Sequence, residues 1–215
     1  TVVCYALSRV VNRRFQAWWS SPLLLACVLC LLLTIALDVK YEEYMRGGRW
    51  LLLLLGPATV SFALPIYQKR QLIRAYWPTL LIGLAFGCAL ALGEVWLVSG
   101  WLGLPQFLRV SLLPRSFSTP FAMAFARSVG SSPEMAAVGA IATGVLGASL
   151  GPVLLRILPL RTAFARGAML GMGALGAGVA RAHEIGTEEA AVAGLVVVLA
   201  GVTCALMGAT YALLQ

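Results

Sequence analysis

The chain has 215 residues, 60% of them hydrophobic and 11% charged. Soluble domains run near 45–50% apolar and about 25% charged, which excludes an ordinary soluble enzyme. The net charge of +8 does not point to nucleic acid, because the basic residues sit in short stretches between apolar blocks, as the positive-inside rule describes.

About eight apolar residues precede Arg9, too few for a span, so the first helix is expected to be incomplete here. Blocks 21–37, 50–66, 76–99, 135–155 and 187–215 are each close to or above the roughly 20 residues that cross a bilayer as a helix. Runs of this kind, without ten-residue alternation, select helices over a barrel. Block 50–66 carries Gly56-Pro57 in its middle. Proline removes a backbone donor and clashes with the preceding turn, so a break or kink is predicted there. Segments 101–113 and 116–129 are shorter, and the second opens with Ser116, Ser118, Thr119 and Pro120. Block 162–182 is rich in glycine, which lets helices approach closely and leaves backbone free to unwind.

With each block crossing once, and 101–113 and 116–129 as two short crossings, eleven of the 16 Lys and Arg residues fall on one side. The loops Arg9–Arg14, Lys69–Arg74 and Arg156–Arg166 are thereby assigned to the cytoplasm. The expected protein is multi-pass in the inner (cytoplasmic) membrane with its N-terminus outside. A faint echo links "LAFGCALALG" in 76–99 to "LAGVTCALMG" in 187–214. Taken as repeats, the chain divides into 1–99, a connector 100–113, and 114–215. An odd offset of crossings inverts the second half, the pattern of a secondary transporter. The fold class expected is therefore an all-α polytopic helix bundle with inverted repeats and two broken or half helices.

Four places are candidates for chemistry. A half-helix starting near Ser118 or Thr119 would aim free N–H groups and a positive dipole end into the membrane. With Arg115, Ser116 and Pro120 beside it, the segment suits a small carboxylate; a capped helix start in a loop is the alternative. Gly56, Pro57 and Thr59 would expose backbone groups at a break, or form only a packing kink. Gly178 and Arg181 belong to the third place, where the arginine can clamp a carboxylate or snorkel to the interface and pair with Glu184 or Glu188. His183 beside it is either a proton handle or an interfacial residue. Glu94 is the fourth, an intramembrane carboxylate or a residue solvated near the outer surface.

No nucleophile–base pair, metal cluster or phosphate loop stands out, so no catalytic residue, metal or cofactor is expected. Cys27-x-x-Cys30 lacks a second pair, and all five cysteines lie in apolar blocks as inert thiols. His183 is the one histidine, too few for a His-based metal site.

The strings 41–67 (around Gly56-Pro57-Ala58), 112–130 (around Pro114-Arg115-Ser116-Phe117-Ser118-Thr119-Pro120), 144–155 and 165–191 resemble the CidB/LrgB family, in order and over nearly the whole chain. The resemblance implies one of two roles. Some members are holin- or antiholin-like proteins tied to murein hydrolase export and lysis, with a small CidA/LrgA-like membrane partner. Others, including the plastid glycolate/glycerate translocator, move small monocarboxylates. The sequence departs from the family's Ser-His-Ala-x-Gly-Thr-Ala-Arg helix, having Ala174, Leu175 and Val179 where polar residues are usual; Gly178 and Arg181 carry over. The expected function is transport of a glycolate-, glycerate-, pyruvate- or lactate-like solute, with a holin-like pore or hydrolase regulator as the alternative. Expected partners are that solute, the lipid bilayer, the small membrane protein and a second copy of the chain. A solute-sized polar cavity at Thr119 would favour transport, and a dry contact there an interaction subunit.

Overall fold

The computed structural model describes residues 2–15, 22–39, 43–44, 46–48, 53–54, 57, 60, 63–68 and 70–213. Among them are helices and turns, with no strand. The helices are α1 (Val2–Phe15), α2 (Pro22–Ala36), α3 (Ala63–Gln68), α4 (Arg70–Ala75), α5 (Trp77–Trp101), α6 (Gln106–Leu112), α7 (Thr119–Ser128), α8 (Pro133–Ile157), α9 (Ala163–Ile185) and α10 (Thr187–Leu213). A 3₁₀ turn, Leu113–Ser116, links α6 to α7. Four of these helices, α5, α8, α9 and α10, are long and apolar enough to cross a bilayer. The chain is thus an all-α membrane bundle.

Local chemistry sets the helix ends. Ser132 caps α8 by accepting a hydrogen bond from the Met135 amide at 3.2 Å, with Pro133 at the first helical position. Thr162 caps α9 in the same way through the Ala165 amide. Gly103 (φ 62°) and Gly130 (φ 67°) turn the chain after α5 and α7 in left-handed backbone that glycine adopts without strain. Arg9, Arg13 and Arg14 lie within α1 and not in a loop. Arginine is a good helix former, and cations suit the C-terminal end of a helix dipole.

α10 is the hub. It packs against α9, α7, α3 and α5. Its Val192, Val196, Ala200 and Cys204 share a buried cluster with Phe117, Phe125 and, from α5, Leu84 and Cys88. The α9–α10 contact is close because small residues face each other. A Cβ at Gly171 would lie 2.6 Å from the Ala193 carbonyl oxygen, and one at Gly167 would lie 2.6 Å from that of Glu189. Arg166 closes one end of this contact, donating to Glu189 Oε1 from Nη2 at 2.7 Å and from Nε at 3.2 Å.

Neither short segment is a full span. At about 1.5 Å per residue, α6 reaches about 10 Å and α7 about 15 Å, roughly a third and a half of the roughly 30 Å hydrocarbon core. The Gly-rich helix α9 is interrupted at Leu175 (φ 55°, ψ −138°). Such backbone costs a leucine about 1–3 kcal/mol. It is held by packing: Leu175 is buried among Ala122 and Ala126 of α7 and Ala136 and Ala140 of α8. Most of the predicted break at Gly56-Pro57, including Gly56 and Thr59, lies outside the described residues; Pro57 itself is helical and exposed.

Candidate functional site

The 3₁₀ turn brings the Pro-Arg-Ser sequence against three long helices. Pro114 and Ser116 are buried, and so is Phe117 after them. This anchors the turn and leaves Arg115 to reach outward between α5 and α8. Its guanidinium pairs with Glu94 of α5. Its Nη1 donates to Thr143 Oγ1 of α8 at 3.1 Å, and Thr143 in turn donates to the Gly139 carbonyl at 2.9 Å.

These residues border a cavity of about 600 Å³ that also takes in Ser116, Gly147 and Gly173. Gly173 lies two residues before the interruption in α9. A Cβ on Gly147 would collide with the Gly173 carbonyl, so this glycine is what lets α8 approach the broken backbone. Glu94 is seven residues from the end of α5 and Thr143 is ten from the start of α8. The pair therefore lies about 10–15 Å along those helices from their ends. Within a bilayer, an ionisable pair at such a position would carry a solvation cost, which makes Glu94 and Arg115 a candidate site. Arginine has five N–H donors in a rigid fork. Glu94 and Thr143 leave several of them able to meet an anion.

A second, more apolar cavity of about 680 Å³ lies along the same face of α5, running past Gly83 to Thr79, Leu160 and Phe164. The two share Gly87, Leu90 and Met172. A Cβ on Gly87 would meet the Met172 side chain at 3.4–3.6 Å. Met172 thus stands where one cavity passes into the other.

The predicted site residues do not all converge. Arg115 and Ser116 line the first cavity, whose polar side chains are theirs with those of Glu94 and Thr143. Ser118, Thr119 and Pro120 begin α7 one turn later and do not line it; Ser118 is the N-cap without a side-chain cap bond. Gly178 is buried beneath the Leu170 carbonyl, which a Cβ would strike, so its small size serves the break in α9. Arg181 lies elsewhere. It pairs with Glu184 at 2.6 Å beside a separate cavity of about 650 Å³ that Tyr5, Arg9 and Asn12 of α1 also line. Among the described residues no group of His, Cys, Asp and Glu could hold a metal ion. Thr143 and the partnership of Glu94 with Arg115 were missed by sequence reasoning. Thr143 is a hydroxyl four residues from both Gly139 and Gly147 on an apolar helix, which was the available signal.

The profile of the LrgB-like family matches residues 1–214. The Bacillus subtilis relative "Uncharacterized protein YwbG" is 34% identical over 94% of this chain and 90% of its own length. "Uncharacterized protein YxaC" of the same organism is 29% identical over 98% of this chain and 90% of its own. "Antiholin-like protein LrgB" of Bacillus mycoides is 28% identical over 94% and 88%. No solved structure matches. With the family profile covering the turn, the broken helix and all four long helices, this chain belongs to the LrgB-like family.

Proposed function

We propose that this protein is a secondary transporter of small monocarboxylates, with Arg115 as the residue that holds the substrate carboxylate. The observation that carries the reading is the cavity itself. Its about 600 Å³ is within the usual range of ligand pockets, and a half-buried guanidinium borders it between α5 and α8. Bidentate recognition of a carboxylate is what the arginine fork does best. Ser116 borders the same space, and the hydroxyls of Ser118 and Thr119 follow on the same chain. The apolar cavity beyond Met172 continues the route toward the opposite end of α5.

The half-length α7 and the interruption in α9 are irregular backbone of the kind that lines a transporter's solute site. The repeats would be 1–99 and 114–215, in the inner membrane with the N-terminus outside. Movement of one group of helices against the other would open the two cavities in turn.

A second reading is favoured by the name of the Bacillus mycoides relative, antiholin-like. In it the chain regulates a pore or murein hydrolase export together with a small membrane partner. Uptake of labelled glycolate, pyruvate and lactate into proteoliposomes separates the two. Saturable uptake that falls to background in Arg115→Ala and recovers in part in Arg115→Lys supports transport. Graded leakage of large, unrelated solutes instead would replace it with the pore reading.

A further inference from the structure

We propose that Glu94 is the proton-coupling group of this transporter: it holds Arg115 when the site is empty and releases it, protonated, to the substrate carboxylate. The proposal rests on the transport reading and assigns a mechanism within it.

Arg115 has an internal anion already in place. Glu94 reaches it across the polar cavity from a different element, so an incoming carboxylate must compete with Glu94 for the same guanidinium. Two carboxylates on one arginine would leave a net negative charge within the bundle, and like charges at such a site raise the affinity of one of them for a proton. Among the described residues, Glu94 and Arg115 are the two charged residues bordering the cavity; α8 and α9 contribute none to it. On α6, Arg109 is occupied one turn further along α5, where it donates to Ser99 and to the Trp96 carbonyl and stacks 4.5 Å over the Trp96 ring. On α10, the Cys204 thiol lies in the buried cluster with Cys88 of α5.

The step balances simply. The substrate enters as RCOO⁻, Glu94 takes up one H⁺ from the side the cavity faces, and Arg115 exchanges one carboxylate partner for another. Charge in the site is unchanged, so the loaded state crosses with one proton per carboxylate. Release of RCOO⁻ on the other side returns Arg115 to Glu94, which gives up its proton. The Glu94 side chain is half-exposed at the cavity, so protein does not seal it off from a proton donor.

The test is uptake and counterflow of labelled pyruvate and lactate in proteoliposomes of wild type, Glu94→Gln and Glu94→Asp, with and without an acid-outside gradient. Wild type should accumulate substrate under the gradient, and its KM should rise with pH as ionised Glu94 competes. Glu94→Gln should lose both the accumulation and the pH dependence of KM. Its counterflow KM should fall, by up to about fivefold for loss of a partly exposed ion-pair competitor. A gain in affinity is not what general damage to the fold produces. Glu94→Asp should retain gradient-driven uptake. Three outcomes overturn the proposal: an unchanged gradient response in Glu94→Gln, an unchanged KM profile in it, or loss of counterflow in both variants. Absence of saturable uptake in wild type would instead refute the transport reading beneath it.

Discussion

α5 and α10 are alike in sequence and opposite in role. Both are long apolar helices with an echoing Cys-Ala-Leu run, and their Cys88 and Cys204 meet in one buried cluster. Yet 56% of the most apolar window of α10 is buried in the bundle, against 17% for α5. α10 turns Ala190, Ala191, Ala193 and Ala200 to its neighbours, all essentially inaccessible. α5 turns Phe86, Trp96, Leu97 and Trp101 outward and lines two cavities with Gly83, Gly87 and Glu94. Hydropathy separates membrane helices from soluble ones but does not separate the helix that holds the bundle from the helix that borders its cavities. That distinction lies in which face carries the small residues and whether something fills the space opposite them.

If the comparison is right, bulk added to the two helices' contacts should have different consequences. The largest effect is expected at the α10 contact. Gly171→Leu drives a side chain into the Ala193 backbone, which cannot give way as a side-chain tip can. It should abolish the monodisperse peak in detergent size-exclusion chromatography. Gly83→Leu on α5, where a Cβ meets nothing within 4 Å, should leave that peak in place. Equal loss of both would erase the distinction between the helices.

An intermediate effect is expected between the cavities. Gly87→Leu should elute as wild type but stop substrate uptake, because its side chain fills the junction beside Met172. Adding Met172→Ala should restore part of the flux. Recovery of that kind would sharpen α5 into a path-lining helix; full uptake in Gly87→Leu would remove the junction from the route. The smallest effect should come from Ser132→Ala, far from both faces. Loss of its cap bond to Met135 should cost about 1 kcal/mol, seen as a lower unfolding midpoint in detergent with uptake per folded molecule unchanged.

Much of the architecture was legible because lipid leaves few choices. Four of the long apolar runs become helices long enough to span, whereas 21–37 becomes the shorter α2 and most of 50–66 lies outside the described residues; the short segment from Ser116 to Val129 becomes the half-length α7. Glycines in 162–182 announce close helix contacts, and Gly167 and Gly171 make them against α10. The site was legible in part. Arg115 and Ser116 were picked out by residue type, but as the flank of a helix start at Ser118 and Thr119, which do not line the cavity, and the partner of Arg115 was not foreseen. Nothing local links Glu94 to Arg115 or to Thr143, which are 21 residues before and 28 after it; only the packing of α5 and α8 around the turn brings them together. The position of the break in α9 was hidden for another reason. A leucine resists positive φ, so no propensity marks Leu175; the alanines of α7 and α8 impose the conformation from outside. Gly178 illustrates the converse, a glycine that looks like a ligand-binding position and is needed for the chain's own backbone to pass.

The interruption at Leu175 also bears on hydration. A regular helix needs nothing from its surroundings for its backbone, whereas an interrupted one leaves amides and carbonyls that hydrocarbon cannot satisfy, each at a cost of several kcal/mol. Such a break persists within a bilayer only where protein or water supplies the missing partners. Gly173, next to it, is exposed and borders the polar cavity. Water admitted to that cavity would reach the freed backbone groups, so the break and the cavity beside it make a place where this bundle can be hydrated without any solute.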